Sequence, residues 1–440
     1  MRNVSGPKSH ELFTREQRHM APGLQSIALY SELAITEARG VRLIDADGSS
    51  YIDFSAGVGV GSVGYGHPHY VATLKAQLDR VTFGSFTTEA RVRFLERLTA
   101  LTPPGLDRVQ LYSGGAEAVE AAFRLAKSAT KKFEFIAFWG GFHGKSGGVL
   151  GLLGGPFKQH QGPYAPGLHL SPYANCYRCP FNLRHPECGL ACAEHLRQVI
   201  HYDTEGEIAA IIIEPMQGTA GNVIPPPGFL PAIKAIAKDN QALFIADEML
   251  TGFGRSGRMW GCDHSGVVPD LITMGKGIGG GFPMSGLAAT KDLAAAKPFA
   301  NPSGSSSSYG GNPLAGAAGL AALEIIEQEG LVANSRRVGA AMLARLEKLK
   351  EKYRCVGDVR GLGLMLGIDL VADRDTKEAL ASDVTRALFE ECLRRGLVSM
   401  CYGSTVRINP PLVIDEATAL EGLDIFDEAL GVVVERFGLD

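Results

Sequence analysis

Pro269-Asp-Leu-Ile-Thr-Met-Gly-Lys-Gly-Ile-Gly-Gly-Gly281 is a short apolar run closed by one lysine in a glycine-rich turn. Residues 271–274 read as a buried strand, and Lys276 follows at its end. Displaced from water there, a lysine amine has a lowered pKa, which suits it to imine chemistry. The glycines on both sides allow a tight turn and a close approach by a flat ligand. A solvated loop lysine has the same local sequence, so neighbouring stretches must decide. Outward from this point, apolar runs at 109–112, 133–139, 208–213 and 242–246 repeat the strand pattern, with helical stretches at 116–131 and 231–238 between some of them. Alternating β and α units with apolar strands predict an α/β fold whose mainly parallel sheet is covered on both faces. Ligands of such sheets collect at the carboxyl ends of the strands.

The flanks read differently. Residues 42–54 (RLIDADGSSYIDF) predict a hairpin turning at Asp-Gly-Ser-Ser. Gly59, Gly61 and Gly64 satisfy G-x-G-x-x-G, but no strand ending in an acid at the ribose distance follows, so a dinucleotide site is not expected. Beyond the serine run at 303–308, residues 314–328 form an Ala-rich helical pattern that continues through 352. A strand pair at 359–370 follows, and then helix, strand and helix over 383–440. These boundaries predict an N-terminal segment, 1–60, that packs with a small domain. They also predict a large domain, 61–320, and a smaller α+β domain, 321–440.

The chain of 440 residues, 45% apolar and 20% charged, is that of an ordinary globular protein with ample core. A net charge of -4 gives no reason to expect nucleic acid or an anionic membrane as partner. No run approaches the length of a membrane span, and the first 25 residues lack the apolar core of a secretory signal. The expected location is cytoplasmic. Cys176, Cys179, Cys188 and Cys192 form C-x2-C and C-x3-C pairs, a workable spacing for structural zinc, although free thiols or disulfides fit as well. No catalytic metal is expected.

Three further groups bear on Lys276. The run 242–246 leads into Asp247, and a carboxylate ending a buried strand needs a partner such as a protonated ring nitrogen. Ser113-Gly114-Gly115-Ala116 joins a strand to a helix, where small residues and free N–H groups favour a phosphate. Phe142, among glycines at another strand end, could lie flat against a planar ring. A phosphate cradle, an aromatic shelf, an Asp and a Lys make up the set that pyridoxal 5'-phosphate requires.

These motifs in this order resemble the class III (ω-amino) aminotransferases of pyridoxal-phosphate fold type I. The most specific pieces are Asp247-Glu-Met-Leu-Thr-Gly-Phe-Gly-Arg-Ser-Gly257 and Thr273-Met-Gly-Lys-Gly-Ile-Gly-Gly-Gly-Phe-Pro283. The resemblance implies that Lys276 is the Schiff-base lysine and proton carrier, and that Asp247 partners the pyridinium. It makes Phe142 the stacking aromatic and Met249 the apolar group under the ring. Gly115 and Ala116, with Gly114 before them, supply the phosphate-binding amides, and Glu214 lies in a supporting motif. Ser308 matches a Thr that reaches the neighbouring subunit's phosphate, which implies a homodimer or a dimer of dimers. Arg407 matches the arginine for a substrate carboxylate, and Lys145 stands where many members carry an Arg for a second one. Two departures bear on substrate: Leu250 replaces a common Gln, and Thr219 replaces the Glu of 4-aminobutyrate aminotransferases.

The expected activity is ping-pong transfer of an amino group from an amino acid or ω-amine to a 2-oxo acid. An amino-acid racemase or a decarboxylating aminotransferase shares the fold. A ligand-sensing regulator would need a DNA-binding segment, and residues before the hairpin show no helix-turn-helix pattern or basic patch.

Overall fold

The computed structural model describes residues 4–439. The chain forms two compact units, one of residues Pro68–Ala333 and one that joins the residues up to His67 to those from Asn334 onward. Among the described residues no helix is long and apolar enough to cross a membrane.

The larger unit is built on a seven-stranded sheet. Its strands in chain order are β1 (Arg108–Tyr112), β2 (Glu134–Phe138), β3 (Leu168–Ser171), β4 (Ile208–Ile213), β5 (Leu243–Asp247), β6 (Leu271–Met274) and β7 (Ser285–Ala289). In space the order is β1-β7-β6-β5-β4-β2-β3. Only β7 runs against its neighbours, pairing antiparallel with β1 and β6, so six strands share one direction. All residues of β2, β4 and β6 are buried. That burial is why they read as unbroken apolar runs.

Helix α1 (Gly115–Thr130) lays Ala118, Ala122 and Phe123 on one face of the sheet, against Phe135, Ala210 and Leu271. Phe123 stacks on Phe135 with ring centroids 4.0 Å apart. Phe138, three residues on, points to the opposite face. There it meets Phe229, the first residue of helix α2 (Phe229–Asp239), at 6.0 Å. The sheet is therefore covered on both sides.

Helix α3 (Pro313–Gln328) stays with the large unit, so the expected boundary near 320 falls too early. A Cβ on Gly316 would lie 2.9 Å from the Arg91 backbone, and one on Gly319 2.5 Å from Phe94. These small residues let α3 pack closely on the helix Glu89–Leu101. The helical pattern expected to run on through 352 breaks at Gly330, φ +62, and resumes as Leu331–Lys352.

In the smaller unit the hairpin Arg42–Asp45 and Ser50–Asp53 is joined by Ile35–Arg39 on one side and Leu397–Val398 on the other. A second sheet pairs Val356–Leu362, Met365–Leu370 and Thr405–Ile408. The segment 56–59 makes a left-handed turn at Ala56, Gly57, Val58 and Gly59, all with positive φ.

Candidate active site

Five parallel strands deliver chemistry to the same edge of the sheet, their carboxyl ends. β5 ends on Asp247, and β6 is followed within two residues by Lys276. The two strands are adjacent, with Asp247 opposite Thr273. Lys276 is half-buried and opens a 3-10 turn, Lys276–Gly279, in the left-handed region at φ +46. For a residue with a side chain this conformation costs about 1–2 kcal/mol, and it falls on the reactive candidate. Tyr70 fastens the turn by donating its hydroxyl to the Gly279 carbonyl at 2.6 Å.

Asp247 is buried, with three donors around it. Its Oδ1 accepts from Thr273 Oγ1 at 3.0 Å and from the Met249 amide at 3.2 Å. Its Oδ2 lies 2.6 Å from Nδ1 of buried His143. Burial by itself pulls the His143 pKa down. The hydrogen bond and charge of Asp247, with the charge of Glu214 behind them, outweigh it and hold the imidazole above its ordinary value. Glu214, at the end of β4, is pushed the other way for a carboxyl, upward, first by burial and further by Asp247, against the charge of His143. Its two oxygens accept from the Phe142 and Gly218 amides, each at 2.9 Å. Through that bond the loop after β2 is pinned and the half-buried Phe142 ring is held in place.

After β1 the chain passes through Gly114 into α1. Glu117 closes this turn by accepting from the Ser113 and Gly114 amides at 3.1 and 2.7 Å, and Ser285 donates to the Gly114 carbonyl at 2.7 Å. Met249 lies between two glycines of the site. A Cβ on Gly275 would be 2.4 Å from its sulfur, and one on Gly115 3.2 Å. Gly144, φ +117, brings the Phe142–His143 loop against the same turn, since a Cβ there would sit 2.6 Å from that of Ala116. Gly115, Ala116, Phe142, His143, Glu214, Asp247, Met249 and Gly275, the residue before Lys276, thus form one connected set.

The other expected site residues are exposed or lie in the smaller unit, and Lys145 touches the set only through the Phe142 ring. Lys145 follows in the same loop but is exposed, its ammonium over the rings of Phe142 and Phe157. Ser308 is exposed in the loop before α3. Arg407 belongs to the smaller unit, on strand Thr405–Ile408 opposite Gly367. Cys176, Cys179, Cys188 and Cys192 are free thiols lining a common cavity of about 20 Å³. Among the described residues, no three His, Cys, Asp or Glu side chains are disposed to hold a metal ion.

The residues fit pyridoxal phosphate. A buried carboxylate held by three donors can face a ring nitrogen, and Gly114 to Ala116 open a 16-residue helix whose N-terminus suits a phosphate. Met249 and Phe142 offer apolar surface, and Lys276 offers the amine. His143 was not among the candidates drawn from the sequence. Its partner lies 104 residues away, so only the Phe-His-Gly context could have hinted at it.

Fold and site together define a cofactor-dependent enzyme of the pyridoxal-phosphate fold type I class. The comparisons with known proteins agree. Residues 27–430 match the family model for class-III aminotransferases, and the chain belongs to that family. It is 35% identical over 426 residues to a diaminobutyrate–2-oxoglutarate aminotransferase of Rhizobium meliloti, covering 92% of this chain and 88% of that one. It is 31% identical over 412 residues to a leucine/methionine racemase of Thermococcus litoralis, covering 92% of each. An amine transaminase from an uncultivated Pseudomonas species, solved in its pyridoxal-phosphate-bound form, superposes with a TM-score of 0.86 at 30% identity, over 95% of this chain and 98% of that one. The enzyme is a pyridoxal-phosphate-dependent class III aminotransferase.

Proposed function

We propose that this enzyme takes the amino group of an amino acid or ω-amine in one half-reaction and delivers it to a 2-oxo acid in the next. One observation carries the reading: adjacent parallel strands bring buried Asp247 and Lys276 to the same edge of the sheet, with Met249 packed between Gly275, which precedes Lys276, and Gly115. When bound, the cofactor supplies an aldehyde for imine exchange with amines and a protonated ring that accepts electrons. Asp247 would support the proton on the ring nitrogen, and His143 orients that carboxylate through the 2.6 Å contact with its Oδ2. Phe142 and Met249 would flank the ring, Gly114, Gly115 and Ala116 would receive the phosphate, and Glu214 holds the Phe142 loop. The Nζ of Lys276 removes the proton from the donor's Cα and later returns one to the acceptor's.

By the family resemblance Arg407 and Lys145 serve the carboxylates of the substrates, and Thr219 stands at the sequence position where 4-aminobutyrate aminotransferases carry a Glu. Ser308 reaches the phosphate of a second subunit, which makes the working form a homodimer or a dimer of dimers in the cytoplasm. In the test, a panel of single amines is added and the visible absorbance of the lysine-bound cofactor is followed. A true donor bleaches it, and a 2-oxo acid then restores it.

The racemase relative supports a second reading, since racemisation uses the same Cα proton transfer at Lys276. Loss of optical activity in a single amino acid without any acceptor would select that reading. Steady release of carbon dioxide would select a decarboxylating enzyme instead.

A further inference from the structure

The loop that carries Phe142 and His143 leaves little freedom at its next residue. Phe142 is tied by its amide to Glu214, His143 by its ring to Asp247, and Gly144 is wedged against Ala116. On the far side Ser146 donates to Glu120 at 2.5 Å, and the Gly148 amide donates to the same oxygen at 3.0 Å. Lys145 is therefore launched from a backbone fixed at both ends. Its ammonium rests 4.6 Å from the centroid of Phe157 and 5.8 Å from that of Phe142. The two rings stand edge to face, 5.8 Å apart at 84°.

Phe157 sits on the 3-10 turn Pro156–Lys158 and is itself exposed. That turn is anchored as well. Lys158 donates to the Gly151 carbonyl at 2.9 Å, and Gly154 exchanges hydrogen bonds with Gly140 and Gly141 at 3.1 and 3.0 Å. Of the two lysines beside Phe157, Lys158 is thus committed to backbone. No carboxylate among the described residues lies within ion-pair distance of Lys145. A solvated cation held on two aromatic rings, with no acid of its own, is placed to receive an anion.

Resting on the aminotransferase reading, we infer that Phe157 is a specificity-determining residue. It holds the Lys145 ammonium beside Phe142 as the receptor for the distal carboxylate of a dicarboxylic 2-oxo acid. A lysine is a point charge on a flexible stem and lacks the planar fork with which an arginine fixes a carboxylate. The Phe157 ring supplies the missing order by attracting the ammonium to its face. A monocarboxylic acceptor has no group to place there, so the device separates acceptors by their distal charge.

The experiment compares kcat/KM for 2-oxoglutarate with that for pyruvate in the wild-type holoenzyme and its variants. Phe157→Leu should lower the ratio about 2- to 5-fold, the range of an exposed cation–π contact, and Phe157→Tyr should keep it. In a Lys145→Met background the same Phe157→Leu change should no longer alter the ratio, because the two residues act through one contact. An unchanged ratio in Phe157→Leu would overturn the inference. So would an equal drop with and without Lys145, or a wild type that uses pyruvate but not 2-oxoglutarate. Absence of turnover with every donor and acceptor would instead overturn the aminotransferase reading on which the inference rests.

Discussion

Asp247→Asn isolates the buried pair at the centre of the site. Asparagine keeps the volume and can still accept from Thr273 Oγ1 and the Met249 amide, but it removes the charge 2.6 Å from His143. A charge-assisted hydrogen bond contributes about 1.5–3 kcal/mol, against about 1 kcal/mol for a neutral one. Because Asp247 raises the folded pKa of His143, the charge-assisted part is fully present below the unfolded value of about 6.5. It is lost as pH rises through the folded value. The variant should therefore be about 1.5–3 kcal/mol less stable than wild type at pH 6, a roughly 10- to 150-fold change in the folding equilibrium. The gap should narrow toward about 1 kcal/mol on the alkaline side.

Both tryptophans, Trp139 and Trp260, lie in the large unit, so urea titration of cofactor-stripped protein followed by tryptophan fluorescence reads that unit directly. A gap that widens with pH would refute the reasoning, because it would mean that a charged His143 is not what the carboxylate stabilises.

Three further outcomes follow from the geometry. Lys276→Ala should abolish the visible absorbance of the lysine-bound cofactor and all amine turnover while leaving the fold intact, as absorbance and circular dichroism would report together. Gly275→Ala places a Cβ 2.4 Å from the Met249 sulfur, so it should destabilise the site by about 1–3 kcal/mol. Met249→Ala in the same chain should recover part of that loss, giving a thermal-shift double-mutant cycle with a clear coupling. Gly339→Ala sets two effects against each other. Alanine favours the helix Leu331–Lys352 by up to about 1 kcal/mol, but its Cβ would lie 1.9 Å from the backbone carbonyl oxygen of Gly363, which cannot rotate away. The clash should win, with a lower melting temperature in the variant.

The parts of the fold legible in the sequence are those where burial is one-sided in character. Every residue of β4 is buried, so Ile208-Ala-Ala-Ile-Ile-Ile213 could hardly be anything but an interior strand. β7 was missed for the opposite reason. Ser285-Gly-Leu-Ala-Ala289 is just as buried but is made of small residues, and it becomes a strand because β1 and β6 offer it ladders on both sides. β3, at the sheet edge, is only half-buried over its first three residues and carries His169, so it too lacked an apolar signature. Pairing with neighbours, which local pattern does not record, decided both.

The site divides along the same line. Lys276, Asp247 and the Gly114–Ala116 turn announce themselves because each ends a recognisable strand with a residue type of distinct chemistry. His143 ends no strand and stands among glycines, and its meaning depends on Asp247, which reaches it only after the chain has crossed the sheet. The relation between them is nevertheless constrained. Asp247 is nearly sealed from water, and an anion so placed must be neutralised or compensated. Thr273 and the Met249 amide offer neutral dipoles, whereas His143 offers a proton. The carboxylate therefore has a proton-donating partner in His143 before any cofactor arrives, and a protonated ring nitrogen would meet a carboxylate already oriented for it. His143 is on that account a positioning residue: it acts on the chemistry through Asp247, and its loss should be felt first in cofactor affinity.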